Sequence, residues 1–262
     1  MKEETKIEVS ELSYAYSGFK ELFNNVSFTI KTGEVICILG PNGIGKTTLL
    51  NCIANLITPT KGRILVDGKD MNKMSPQDIA RTIGYVPQTI MPSFDYEVLE
   101  YVVTGCAPRL GTFERPKDEH YSIARDAMSQ MKISHLSHKA YTKISGGERQ
   151  QVSIARAISQ RPKIILMDEP TAHLDCGNQI KVLKIIKEMA RKGYGVVFTT
   201  HNPDQALLLK TKIAAFDRNG NFSFGTYREV LDEGFLRSMY GIDLHLYNID
   251  EIGRSVCIAP AL

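Results

Sequence analysis

Apolar positions early in the chain recur with a period close to two. IEVSELSYAY (7–16) carries Ile7 and Val9 in near alternation with polar residues, and VSFTI (26–30) repeats the pattern, so both predict strands. EVICILG (34–40) is a continuous apolar run ending in glycine, the pattern of a strand covered on both faces. A helix is predicted inside GKTTLLNCIANL (45–56), then a strand and turn in RILVDGKD (63–70). SPQDIARTIGYVPQ (75–88) predicts a short helix, with Ser75 as cap and Pro76 at its first position, followed by a strand. Strand patterns vanish from 89 to 160. YEVLEYVVTG and HYSIARDAMSQM there have helical apolar spacing and predict a helical lobe. Beyond it come the buried strand IILMDEP (164–170), the helix NQIKVLKIIKEMARKG (178–193) and the buried strand GVVFTTH (195–201). IAAFDRNGNFSFG (213–225) holds Asn219-Gly220 between two strand-like runs, a hairpin signal. The last 35 residues mix a helix over 226–239 with strand and carry no motif. The class is α/β.

The chain has 262 residues, enough for one sizeable core or a core with an inserted lobe. A net charge of +3 gives no basic stripe for nucleic acid. The polar start MKEETKIEVS has no secretory h-region, and no apolar run approaches the roughly 20 residues of a membrane span. A role at a membrane therefore requires another chain to supply the span. The five cysteines form no CxxC pair, which favours a reducing compartment over a disulfide framework.

Chemistry concentrates at the ends of the buried strands. GPNGIGKT (40–47) fits G-x-x-x-x-G-K-[ST] between a strand and a helix. In such a loop, backbone N–H groups point at phosphate oxygens, Lys46 reaches the β and γ phosphates, and Thr47 offers its hydroxyl to Mg²⁺. An ordinary glycine-rich turn is the bland alternative, and IILMDE weakens it. Asp168 at a strand end can hold Mg²⁺, and Glu169, pointing the other way, can polarise a water against the γ-phosphate. His201 and Gln88 end their strands on the same ligand-binding face. His201 can orient the water, and the Gln88 amide can bridge water and Mg²⁺. One feature is then in excess. Ser145, Gly146 and Gly147 in KISGGERQQ (143–151) stand before a helix and form a second anion site.

GPNGIGKTT, YVPQ, ISGGE, IILMDEP, HLD and TTH occur here in the order and spacing of the ATP-binding cassette (ABC) ATPases, and the likeness runs over residues 5–240. The resemblance implies a single ABC domain over 1–262. It comprises a P-loop NTPase, RecA-like core with an antiparallel β subdomain (1–88 and 161–262) and an inserted helical signature subdomain (89–160). It implies ATP held by Gly40, Pro41, Asn42, Gly43, Ile44, Gly45, Lys46, Thr47 and Thr48, and Mg²⁺ held by Thr47, Gln88 and Asp168. Glu169, His201, Gln88 and Lys46 would be catalytic. Tyr16 resembles the aromatic that stacks on adenine, with Tyr14 as its rival; spacing to the P-loop favours Tyr16. The resemblance also explains the excess anion site. In that family two cassettes pair head to tail, so Ser145, Gly146 and Gly147 would grip the γ-phosphate bound by a partner copy. Asp175 resembles the loop residue that couples the two sites. Two departures stand out: ISGGE replaces the common LSGGQ, and AHLD replaces SALD, where Ala172 removes a hydroxyl.

SPQDIARTIGYVPQ, FDYEVLEYVVTGCAPRLG and PTAHLDCGNQIKVL resemble the importer branch that serves iron–siderophores, haem, cobalamin and oxyanions. This implies a homodimer at the cytoplasmic face of a membrane. Its partners would be integral membrane permease subunits, with a substrate-binding protein acting through them. Rival classes fit less well. About 100 residues without sustained heptads separate the P-loop from SGG, unlike the coiled coils of repair cassettes. One P-loop is present where ribosome factors carry two. An exporter with separate membrane subunits stays open.

Overall fold

A computed structural model describes residues 4–18, 21–88, 95–111 and 113–261. Residues 91–94, at the start of the run expected to open the helical lobe, lie outside them.

Two sheets divide the first ten strands. β1 (Lys6–Ala15), β2 (Glu21–Lys31), β4 (Lys61–Val66) and β5 (Lys69–Asp70) form an antiparallel sheet in the order β2-β1-β4-β5. Its register sets Val9 opposite Phe28 on one side and Ile64 on the other, so the alternation seen in the sequence becomes one apolar face. β3 (Val35–Leu39) leaves this region for the second sheet. There it joins β6 (Ile83–Val86), β7 (Ile164–Met167), β8 (Gly195–Thr200), β9 (Lys212–Phe216) and β10 (Phe222–Thr226) in the order β10-β9-β3-β8-β7-β6. All neighbours are parallel except β10 on β9.

The parallel strands are buried on both faces, which is why their sequences do not alternate. Ile36, Ile38, Ile164, Leu166 and Val197 pack into one apolar cluster with the antiparallel sheet and α1 (Lys46–Ile53). Cys37, Leu39, Ile165, Met167 and Phe198 face the other cluster. That cluster continues into α3 (Val98–Val103), α4 (Asp118–Gln130), α5 (Gly146–Ser159) and α6 (Cys176–Arg191). Between β5 and β6, α2 (Pro76–Thr82) is capped by the Ser75 hydroxyl, which accepts the Asp78 N–H at 3.1 Å. After β8 come α7 (Pro203–Leu209), α8 (Tyr227–Val230) and α9 (Glu233–Tyr240), then a hairpin of β11 (His245–Ile249) and β12 (Arg254–Ile258).

Two local expectations change, and the hairpin expected over 213–225 forms between β9 and β10. The helix expected at 178 starts at Cys176, because the Asp175 carboxylate caps it. The helix expected over 226–239 is two helices, since Asp232 caps a new start by accepting the Phe235 N–H at 2.6 Å. The β9–β10 turn spans five residues, organised by Asp217, whose Oδ1 accepts the N–H groups of Asn219 and Asn221. All five cysteines are free, and Cys37, Cys52 and Cys106 are buried. No helix among the described residues is long and apolar enough to cross a membrane.

Candidate nucleotide site

The carboxyl ends of β3, β6, β7 and β8 bring Gly40, Gln88, Glu169 and His201 to one edge of the parallel sheet. The turn from β3 into α1 needs its glycines. Gly45 has φ +106°, and a Cβ there would sit 2.9 Å from the Leu22 side chain. Lys46 enters this turn buried, at 5% exposure. Its Nζ donates to the Gly40 carbonyl (2.9 Å) and the Pro41 carbonyl (3.0 Å) and lies 3.5 Å from Glu169 Oε1. Burial lowers the Lys46 pKa, with Glu169 and then Asp168 opposing.

Asp168 and Glu169 are fixed by backbone bonds. The Asp168 N–H donates to the Val86 carbonyl at 2.8 Å, which ties β7 to β6. The Thr199 hydroxyl on β8 donates to Asp168 Oδ1 at 2.7 Å and accepts the Glu169 N–H at 2.7 Å. Glu169 takes φ +41°, a left-handed conformation that carries strain for a residue with a Cβ. Its carboxylate stands among three polar groups. Oε1 is 3.5 Å from both Lys46 Nζ and His201 Nδ1, and Oε2 is 3.5 Å from Gln88 Nε2. These are close approaches, longer than ordinary hydrogen bonds.

Two cavities meet at this carboxylate. One, of about 420 Å³, is lined by Tyr16, Leu22, Asn42, Gly43, Gly45, Lys46, Thr47, Thr48, Gln88 and Glu169. The other, of about 400 Å³, shares Asn42, Gln88 and Glu169 and adds His201, Gln205 and the 171–173 segment. Ile44 lines neither and packs against the apolar cluster below. Tyr16 is 52% exposed, with its hydroxyl 3.3 Å from the Thr48 hydroxyl, whereas Tyr14 stacks on Phe23. With the stacking role that the resemblance implies for Tyr16, Tyr16→Ala is expected to weaken nucleotide binding by about fivefold or more, the weight of one stacking contact. Tyr14→Ala instead lowers the unfolding midpoint. Titration with a fluorescent ATP analogue beside a thermal melt separates the two.

The donors facing the first cavity suit a hard cation in company with phosphates. Thr47 and Gln88 present a hydroxyl and an amide. Asp168 sits behind them, 3% exposed, lining neither cavity. Among the described residues, no group of three or more His, Cys, Asp or Glu side chains could hold a metal alone. An oxygen set of this size fits Mg²⁺ only as shared with a substrate.

Ser145, Gly146, Gly147 and Asp175 line neither cavity. Ser145 caps α5: its hydroxyl accepts the Glu148 N–H at 3.3 Å, and Glu148 Oε2 accepts the Ser145 N–H at 2.8 Å. That N–H holds the Glu148 carboxyl below the usual range. Nothing lies within 4 Å of where a Gly146 Cβ would stand. A Gly147 Cβ would meet the Asn178 side chain at 2.9 Å. Asn178 in turn donates its N–H and its amide to the Asp175 carboxylate, at 2.9 and 2.6 Å, which holds the Asp175 pKa down.

A family profile described as ABC transporter matches residues 23–172, more than half of the chain. The chain belongs to the ABC transporter family. The molybdate import ATP-binding protein MolC of Haemophilus influenzae is 34% identical over 91% of this chain and 89% of its own. The hemin import ATP-binding protein HmuV of Nocardia farcinica is 34% identical over 84% of this chain and 76% of its own. A chain of an inward-facing ABC transporter described as metal-chelate type superposes with TM-score 0.87 at 31% identity, covering 98% of both. The ABC transporter chain is thus an ATP-binding ATPase. Three residues have contacts that the motif reading did not assign. Thr199 bridges Asp168 and Glu169. Gln205 Oε1 accepts from Thr171 and Thr200, joining the segment after β7 to the end of β8. Glu148 completes the α5 cap, and the Ser-x-x-Glu spacing was the signal for it.

Proposed function

We propose that this ABC transporter chain is the ATP-hydrolysing subunit of an importer for a metal chelate. An iron–siderophore complex is the leading cargo, with haem, cobalamin and oxyanions as neighbouring classes. The import names of the hemin and molybdate relatives support the direction of transport. One observation carries the mechanism: the Ser145–Gly147 loop is absent from its own chain's cavities, and Gly146 faces open space. A loop built to hold an anion but turned away from its own site serves a second copy. Two chains pair head to tail, and each lends Ser145, Gly146 and Gly147 to the other's γ-phosphate.

Within each site, Gly40 to Thr48 cradle the phosphates with backbone N–H groups, and Tyr16 stacks on the base. Lys46 exchanges a carbonyl partner for phosphate oxygens and stabilises the charge that develops there. Glu169 positions the attacking water and takes its proton, with His201 orienting it and Gln88 sensing it. Thr47, Gln88 and Asp168 would hold Mg²⁺, which would supply charge neutralisation at the phosphates. Asp175 couples the two sites through the α6 start, and Gln88 links nucleotide to the helical lobe, whose described residues are 95–111 and 113–160. That lobe docks on membrane permease subunits, which meet a substrate-binding protein, with the chain at the cytoplasmic face. Hydrolysis removes the group both copies grip, and the pair loosens.

The mass of the purified Glu169→Gln chain, with and without Mg-ATP, tests this. An ATP-dependent dimer is expected. A chain that stays monomeric alone and beside its co-purified permease would overturn the shared site.

A further inference from the structure

The C-terminal segment carries no nucleotide motif, yet it is bonded to the stretch that bears His201. The Tyr240 hydroxyl, at the end of α9, donates to the His201 backbone carbonyl at 2.6 Å. The Cys257 N–H on β12 donates to Asp204 Oδ1 at 2.9 Å, in the first turn of α7. Residues before the first anchor tie to the segment between the two. Glu233 Oε1 on α9 accepts the Leu246 N–H of β11 at 3.1 Å. Arg218 donates to the Tyr240 carbonyl, and Gly241 turns the chain with φ +71° where a Cβ would strike the Arg218 guanidinium. Tyr240, Leu246 and Cys257 also pack against the larger apolar cluster. By contrast, the His201 side chain is 53% exposed and its ring reaches Glu169 only at 3.5 Å. The His201 backbone follows β8, whose last residue Thr200 pairs with Leu39, and its carbonyl is held in addition from the C-terminal side by Tyr240.

We infer that residues 232–258 form a brace that sets the direction of the His201 side chain, with Tyr240 as its positioning residue. The segment thereby controls ATP turnover without touching nucleotide. This rests on the proposed part of His201 in orienting water. It gives the C-terminal segment a place in the reaction, and makes it a point from which an event at the chain end can slow hydrolysis.

The test is a double-mutant cycle on the full chain. Tyr240→Phe removes one hydroxyl and is expected to lower kcat about three- to tenfold, the weight of one hydrogen bond, with KM for Mg-ATP changed by less than about twofold. In a His201→Ala background the same substitution is expected to change kcat by less than about twofold. Asp204→Ala, at the second anchor, repeats the pattern if Tyr240→Phe folds poorly. Wild-type kcat in Tyr240→Phe, or an equal loss in both backgrounds, would overturn the brace. If His201→Ala alone leaves turnover unchanged, the part given to His201 fails, and ring NMR of the histidines decides the brace separately. Tyr240→Phe must then shift the His201 signals, identified by their loss in His201→Ala. Unshifted signals overturn it.

Discussion

Glu169→Gln lowers ATP turnover by about 10²-fold or more while Mg-ATP still binds, the usual weight of a positioned base. The substitution keeps the size of the side chain and removes only its charge and proton affinity. Glu169 is held by its backbone, through its N–H on Thr199, so the amide variant keeps its place. Lys46 loses one neighbour but keeps the Gly40 and Pro41 carbonyls. Phosphate release and fluorescent-nucleotide titration measure the two quantities. Turnover equal to wild type removes Glu169 from the reaction. A pH effect accompanies the change. Burial lowers the Lys46 pKa and the Glu169 charge opposes that shift, so the neutral amide lowers it further. As pH rises, the variant therefore loses its ammonium, and with it ATP affinity, at a lower pH than wild type.

Ser145→Arg abolishes hydrolysis and leaves nucleotide binding by a single chain intact. The substitution costs α5 its cap, about 1 kcal/mol, too little to unfold a chain of this size. It places a long cation where Gly146 faces open space, on a loop outside both cavities of its own chain. Only a second copy would meet it. Equilibrium binding at low protein concentration, beside steady-state turnover, reads both halves of the expectation. Lost binding in the single chain would mean that the loop acts within its own site.

The parts legible from sequence are those where backbone geometry restricts residue choice. A phosphate turn needs glycine at Gly45, and a strand covered on both faces needs an unbroken apolar run such as Val35 to Leu39. Polar residues that end such runs, including Gln88, Glu169 and His201, could therefore be placed at one edge before any coordinates. What stayed hidden depends on partners far apart in sequence. Thr199 reads as a plain strand residue until β7 and β8 pair and set its hydroxyl between Asp168 and Glu169. Tyr240 lies just past the helix expected over 226–239 and carries no signal until its hydroxyl meets the His201 carbonyl after β8. The remaining misses were local. Asp175, Asp217 and Asp232 each cap or turn the chain with a short carboxylate, and a reading by apolar period passes over such residues.

The contact of Gly147 with Asn178 makes two separate stretches one interchangeable part. Asn178 fills the space a side chain at 147 would need, while its backbone and amide set Asp175. A chimera that imports 144–148 from a relative with a larger residue at 147 would displace Asn178 and with it the α6 start. Grafts between cassettes must therefore carry 144–148 and 175–178 together.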